Sequence, residues 1–176
     1  MRRVVTGHTT QGRSIVVSDG PPPRTHQFVG WPGFVSSLGW ATEASDPASR
    51  TGEDATDKVE SLIPEPGGTR LILLTLPPDS SMASPDFDGA TYGAEQATHS
   101  PGLAETFEAD GMHLTPTIDY VFVVKGEVYL RLDDGEEALL QAGDVLVQNA
   151  THHGWSNRSD QPAELACVLI GAVTDR

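Results

Sequence analysis

The chain has 176 residues and a mass of 18.7 kDa, enough for one domain with a real hydrophobic core. Eleven Lys and Arg oppose 25 Asp and Glu, a formal charge of −14. A chain of that sign repels the phosphate rows of nucleic acid and the anionic face of a membrane, so neither is expected as a partner. No apolar run approaches the length of a membrane span and the first residues carry no apolar secretion segment, so the expected compartment is the cytoplasm.

In chain order, residues 3–18 (RVVTGHTTQGRSIVVS) read as a strand pair around a Gly-containing turn, running into Pro21-Pro22-Pro23. Residues 42–66 carry Glu43, Asp46, Glu53, Asp54, Asp57, Glu60 and Glu65 against Arg50 and Lys58, with few large apolar side chains, and are expected to form a solvated acidic loop. Residues 69–76 (TRLILLTL) read as a strand. The stretch 77–111 is irregular, with a short helix expected near 103–109. Connections of that length in a compact domain serve as lids, oligomer contacts or disordered segments. Short β-like runs then follow at 119–124, 127–132, 137–141, 144–148 and 164–170, separated by tight turns such as Lys125-Gly126 and Asp133-Asp134-Gly135. Such spacing predicts an all-β antiparallel barrel or sandwich. The single cysteine, Cys167, lies in the apolar run Leu165–Ile170 and is expected to be a buried small hydrophobe.

Of the six histidines, His8, His26, His99 and His152 have no partner at a diagnostic spacing and are expected to be solvated or locally hydrogen-bonded surface residues. His113 and His153 differ, because each flanks a strong strand. The spacing His113-x-Thr115-x3-Asp119-x6-Gly126, followed by Gly143 and Gln148-x-Ala150-x2-His153-x3-Asn157, resembles the two motifs of the cupin superfamily, G-x5-H-x-H-x3/4-E-x6-G and G-x5-P-x-G-x2-H-x3-N. The departures include Thr115 for the second histidine, Asp119 for glutamate, Gln148 for proline, and a first gap one residue short in the second motif.

The resemblance covers residues 69–171. It implies a cupin double-stranded β-helix, or jelly-roll, barrel over 67–176, with an N-terminal extension of β strands and acidic loop over 1–66. It also implies one divalent metal (Fe, Mn, Ni or Zn) held by His113, Asp119 and His153, with Thr115 and Gln148 shaping the open coordination face. Two imidazoles and one carboxylate form the facial set of non-haem iron enzymes, and zinc accepts the same donors. Positions 113, 115 and 119 share parity and fall on one face of an extended backbone. The same residues also compose a metal-free acid–base set, a His–Asp pair with a second His.

Gln148 is read either as a hydrogen-bonding group for a substrate or metal-bound water, or as an edge amide. Tyr120 is read as core or interface, Trp155 as rim packing, Asn157 as a turn stabiliser and Arg131 as half of a surface ion pair. The expected function is an enzyme for a small, largely apolar organic substrate in secondary or catabolic metabolism, with His113, Asp119, His153 and Gln148 as catalytic residues and the 77–111 stretch closing over the substrate. With iron the chemistry would be oxygen insertion or cleavage. Otherwise it would be dehydration, decarboxylation, isomerisation or cyclisation, and a non-catalytic metabolite-binding protein is the remaining alternative. A homodimer is expected, with the extension strands packed on the partner's barrel.

Overall fold

The computed structural model describes residues 1–48 and 53–173, so Arg50 of the acidic stretch lies outside the described residues. Eleven strands follow one another among them: β1 Arg3–His8, β2 Ser14–Gly20, β3 Arg24–Gln27, β4 Val35–Thr42, β5 Thr69–Leu76, β6 Thr117–Lys125, β7 Glu127–Arg131, β8 Glu137–Gln141, β9 Val145–Asn149, β10 Gly154–Ser156 and β11 Ala163–Gly171. A six-stranded sheet ordered β3-β4-β5-β11-β6-β9 faces a three-stranded sheet ordered β10-β7-β8, and β1-β2 stands as a separate hairpin. Every pairing is antiparallel. This is an antiparallel arrangement as the spacing of the strands predicts, and a jelly-roll as the resemblance implies.

Alternation sets which side chains enter the core. On β6, Thr117, Asp119, Val121 and Val123 are buried, and on β11 so are Ala163, Leu165, Cys167, Leu169 and Gly171. Of these, Val121, Val123, Ala163, Leu165, Cys167 and Leu169 join Val128, Ile72 and Leu38 in one apolar cluster. Within it the Cys167 thiol is pushed up to about 12, first by burial and then by Asp119, so it is an inert packing group as expected.

The stretch 77–111 departs from expectation. Its helix, α1, runs Gly89–His99, and only a single 3-10 turn, Ala104–Thr106, lies where the helix was expected. Asp88 caps α1 by accepting from the Ala90 and Thr91 amides, a signal that was present in the sequence. The helix docks through Tyr92 onto Phe28, Trp31 and Phe34 of the β3–β4 connection. Gly30 permits that approach, since a Cβ there would sit 2.2 Å from the Tyr92 amide nitrogen and 2.8 Å from the Asp88 carbonyl. Gly30→Ala is therefore expected to push α1 off this surface and cost about 1–3 kcal/mol, read as a lowered urea midpoint.

The acidic stretch is also more firmly moored than a solvated loop. Arg70 donates to Glu43, and Arg3 bonds Asp54, which in turn accepts from Thr56. Arg131 pairs with Asp110 at the surface as expected. Asn157 does stabilise its turn: its amide donates to the carbonyls of Leu76 and Gln161 while its oxygen accepts from Ser159.

Candidate active site

Two short segments outside the long strands bring the histidines together. His113 and His153 form an isolated antiparallel bridge, each amide donating to the other's carbonyl at 2.8 and 2.9 Å. Their rings lie 4.1 Å apart, centre to centre, tilted by 47°. Phe107 covers the His113 ring at 4.5 Å, and Trp155 meets the His153 ring edge-on at 5.9 Å. Phe107 thus brings a side chain of the 77–111 stretch to the pair.

The Nδ1 atoms of His113 and His153 face the carbonyl oxygens of Gly111 (3.3 Å) and Thr151 (3.0 Å). A carbonyl only accepts, so each Nδ1 carries the hydrogen and each Nε2 is left with its lone pair. Burial lowers both pKa values. His153 is pushed down to about 4, by burial first and by the neighbouring His113 second, and His113 is lowered by burial. Both rings are neutral at pH 7.

Asp119 and Gln148 face one another across β6 and β9 and are both buried. Burial pushes the Asp119 carboxyl up to about 6, against a smaller opposing effect of Thr117. The amide nitrogen of Gln148 donates to the Thr151 carbonyl at 3.2 Å, which fixes the orientation of the amide. Asp119 Oδ1 and Gln148 Oε1 are both buried without a protein donor. The Thr115 hydroxyl pairs with that of Thr117 at 2.7 Å.

The donor types, two free imidazole nitrogens and a carboxylate, suit a divalent metal, but their placement does not complete a ligand set. Among the described residues no three His, Cys, Asp or Glu side chains are gathered so as to hold one ion. Asp119 reaches one methylene less far than the glutamate of the motif, and Thr115 offers no imidazole. The residues present therefore do not fit a metal as a preformed three-ligand centre.

The loop that carries His153 is strained. Ala150 sits at φ +47°, a left-handed conformation costly for any residue with a Cβ, at the position where the motif has glycine. Its amide bonds the Thr117 carbonyl at 3.0 Å, and the loop presents the Thr151 carbonyl to both Gln148 and His153. Ala150→Gly is expected to raise stability by about 1 kcal/mol in urea unfolding, with the His pair undisturbed.

Outside this centre, His152 is a locally hydrogen-bonded surface residue, as expected. It bonds Asp133 at 2.6 Å and lies 3.2 Å from Glu108, which raises its pKa. The acidic turn of Asp133, Asp134 and Glu136, with Thr151 and His152, lines an open cavity of about 540 Å³ beside the His153 loop. His26 and His99, expected to be solvated or locally hydrogen-bonded, stack on one another at 3.6 Å, and His26 bonds Glu95 at 2.9 Å. That cluster clamps α1 to β3. Nothing in local spacing marks it, because the partners are about 70 residues apart.

Residues 104–169 match the sequence model of the family described as Cupin domain. Oryzines biosynthesis cluster protein J of Aspergillus oryzae is 32% identical over 126 residues, 61% of this chain and 70% of that protein. Two phomopsin biosynthesis cluster proteins of Diaporthe leptostromiformis, C' and D, are 42% identical over 76 residues. Those matches span 36% of this chain and 40% of the length of either relative. The cupin-domain-containing oxidoreductase fogC of Aspergillus ruber is 27% identical over 171 residues, 96% of this chain and 71% of that protein. Among solved structures, an RmlC-like cupin family protein with a double-stranded β-helix fold from Methanocaldococcus jannaschii matches with a TM-score of 0.39 at 14% identity, over 58% of this chain and 70% of that one.

Proposed function

The chain belongs to the cupin superfamily, and from that premise we propose that it is an enzyme of secondary metabolism that moves protons on a small organic substrate within its barrel. The observation that carries this reading is the buried His113–His153 pair, each ring tied through Nδ1 to a backbone carbonyl and left with a bare Nε2. The metabolic setting is supported by the relatives, whose names place them in biosynthetic clusters.

Each residue then has a role set by its protonation state. The neutral Nε2 atoms accept hydrogen bonds from substrate hydroxyl or N–H groups and orient them. Asp119, held near 6, sits closest to working pH and carries the proton, since a general acid or base works best when its pKa lies near the ambient pH. Gln148 offers its carbonyl oxygen inward, because its nitrogen is engaged by Thr151. Phe107 and Trp155 keep water from the rings. Dehydration, isomerisation, decarboxylation and cyclisation are the reactions such a set serves.

A second reading, a divalent ion (Fe, Mn, Ni or Zn) on the two free Nε2 atoms, is favoured by their donor chemistry and by the word oxidoreductase in the names of several relatives. The two readings separate on one assay, turnover of the intermediate that accumulates when the gene is deleted. Under the proton-transfer reading, dialysis against EDTA leaves the rate unchanged. Loss of turnover restored by one divalent ion would replace it with the metal reading.

A further inference from the structure

Two backbone carbonyls decide what the buried histidines can do. That of Gly111 holds the Nδ1 hydrogen of His113, and that of Thr151 holds the Nδ1 hydrogen of His153 together with the amide of Gln148. On a neutral imidazole the partner of one nitrogen sets what the other carries, so a carbonyl that drifts away lets the hydrogen move to Nε2 and the bare nitrogen is lost. Both carbonyls belong to exposed loop residues outside any strand ladder. Gly111 sits at φ +82° with its amide turned back to Glu108, and Thr151 directly follows the left-handed Ala150.

Both loops are gripped from the end of β7. That strand is a firm base, since Val128 and Leu130 are buried and Arg131 pairs with Gly154 of β10 on one side and Glu137 of β8 on the other. From the last position of β7 the Arg131 guanidinium reaches Asp110, the neighbour of Gly111, and donates to its backbone carbonyl at 3.2 Å and its carboxylate at 3.1 Å. The other oxygen of that carboxylate accepts from the Met112 amide, so Gly111 is bracketed on both sides. Gly154 leaves it room, because a Cβ there would sit 3.3 Å from the Gly111 carbonyl oxygen. Two residues beyond Arg131, Asp133 bonds Nδ1 of His152, the neighbour of Thr151, at 2.6 Å. Glu108 lies 3.2 Å from Nε2 of the same ring and so joins the His113 loop to the His153 loop. Exposed ion pairs add little to stability. The Arg131 fork grips backbone and side chain of one residue, and what it fixes is position.

We infer that Arg131 and Asp133 are positioning residues for the two histidines. Arg131 acts through Asp110 on the Gly111 carbonyl and hence on His113. Asp133 acts through His152 on the Thr151 carbonyl and hence on His153 and Gln148. The two arms start from neighbouring points of one turn but end on different rings, so removing either residue releases one histidine and spares the other. Their weight in the rate rests on the proton-transfer reading proposed above, whereas the placement of the hydrogens does not.

The test is the ¹⁵N spectrum of the full chain labelled at the histidine ring nitrogens, with signals assigned by their loss in His113→Gln and His153→Gln. In the wild type both rings are expected to carry the hydrogen on Nδ1 and a bare Nε2. Arg131→Ala should lower the ratio of the Nδ1–H to the Nε2–H form of His113 by about 5-fold, the equilibrium shift an exposed ion pair sustains, and leave His153 unchanged. Asp133→Ala should do the reverse, by about the same factor. Arg131→Lys should recover His113 in part, since an ammonium cannot remake both bonds of the fork. Turnover should fall in step with each shift. Asp110→Asn and Asp133→Asn repeat the two arms if an alanine variant does not fold. Unchanged ratios, or both rings shifting alike in every variant, would overturn the inference and leave the proton-transfer reading to the histidine variants. The crossed pattern with full turnover would uphold the positioning and remove the proton-transfer reading instead.

Discussion

His153→Ala is expected to lower turnover by at least about 100-fold while the protein stays folded, the loss typical when a group that holds substrate in its reacting geometry is removed. The fold should survive because the bridge between the two segments is made by backbone: the amides and carbonyls of His113 and His153 bond one another whatever their side chains. What disappears is one of two bare Nε2 atoms and the ring that partners His113 at 4.1 Å. His113→Ala should behave alike. His153→Gln keeps a polar side chain of similar reach, and it should recover binding of substrate but not rate, a separation of KM from kcat that a purely structural histidine would not give. Undiminished turnover in both alanine variants, with native circular dichroism, would remove the pair from the chemistry.

The second large effect is on stability against pH, and its sign follows from two opposed shifts. The Asp119 carboxyl is raised from 3.8 to about 6 in the folded chain. Between those values the folded chain keeps a proton that the unfolded chain has released, so this residue makes stability fall as pH rises from about 4 to about 6, by about 3 kcal/mol. His153 is lowered from 6.5 to about 4. Over that window the unfolded chain holds a proton that the folded chain lacks, so stability rises with pH by about 3 kcal/mol. The two contributions nearly cancel in the wild type. Asp119→Asn should uncover the histidine's rise and His153→Phe the carboxyl's fall, measured as urea midpoints at pH 4.5 and 6.5. Identical profiles for both variants and the wild type would show that the two groups are not buried as described.

Much of the barrel was readable because strands announce themselves locally. The runs at 69–76, 127–132, 137–141 and 164–170 coincide with β5, β7, β8 and β11 to within a residue, bounded as they are by Gly, Pro and Asp. Missed were β3, β4 and β10, whose sequences RTHQ, VSSLGWAT and GWS are polar, serine-rich or too short to show alternation. α1 was hidden for a related reason. Its sequence GATYGAEQATH holds one large apolar residue, Tyr92, and what keeps it helical is the Asp88 cap and an aromatic dock supplied by residues some 60 positions earlier.

At the site, the resemblance to the two cupin motifs implied that His113, Asp119, Gln148 and His153 share one pocket, and the structure adds that His113 bridges His153 and that Asp119 faces Gln148. The resemblance did not foretell that a donor set with the right chemistry would stop short of a three-ligand metal centre, because that depends on the reach of single side chains. Nor did it foretell Phe107 over His113, or the strain at Ala150, which are properties of loop conformation.

The claim that these residues move protons is tested most directly by running the reaction under ¹⁸O₂ in chelator-treated buffer. The product should carry no ¹⁸O and form at the same rate without oxygen. Incorporation of ¹⁸O, or a rate that vanishes anaerobically and returns with an added divalent ion, would contradict the account.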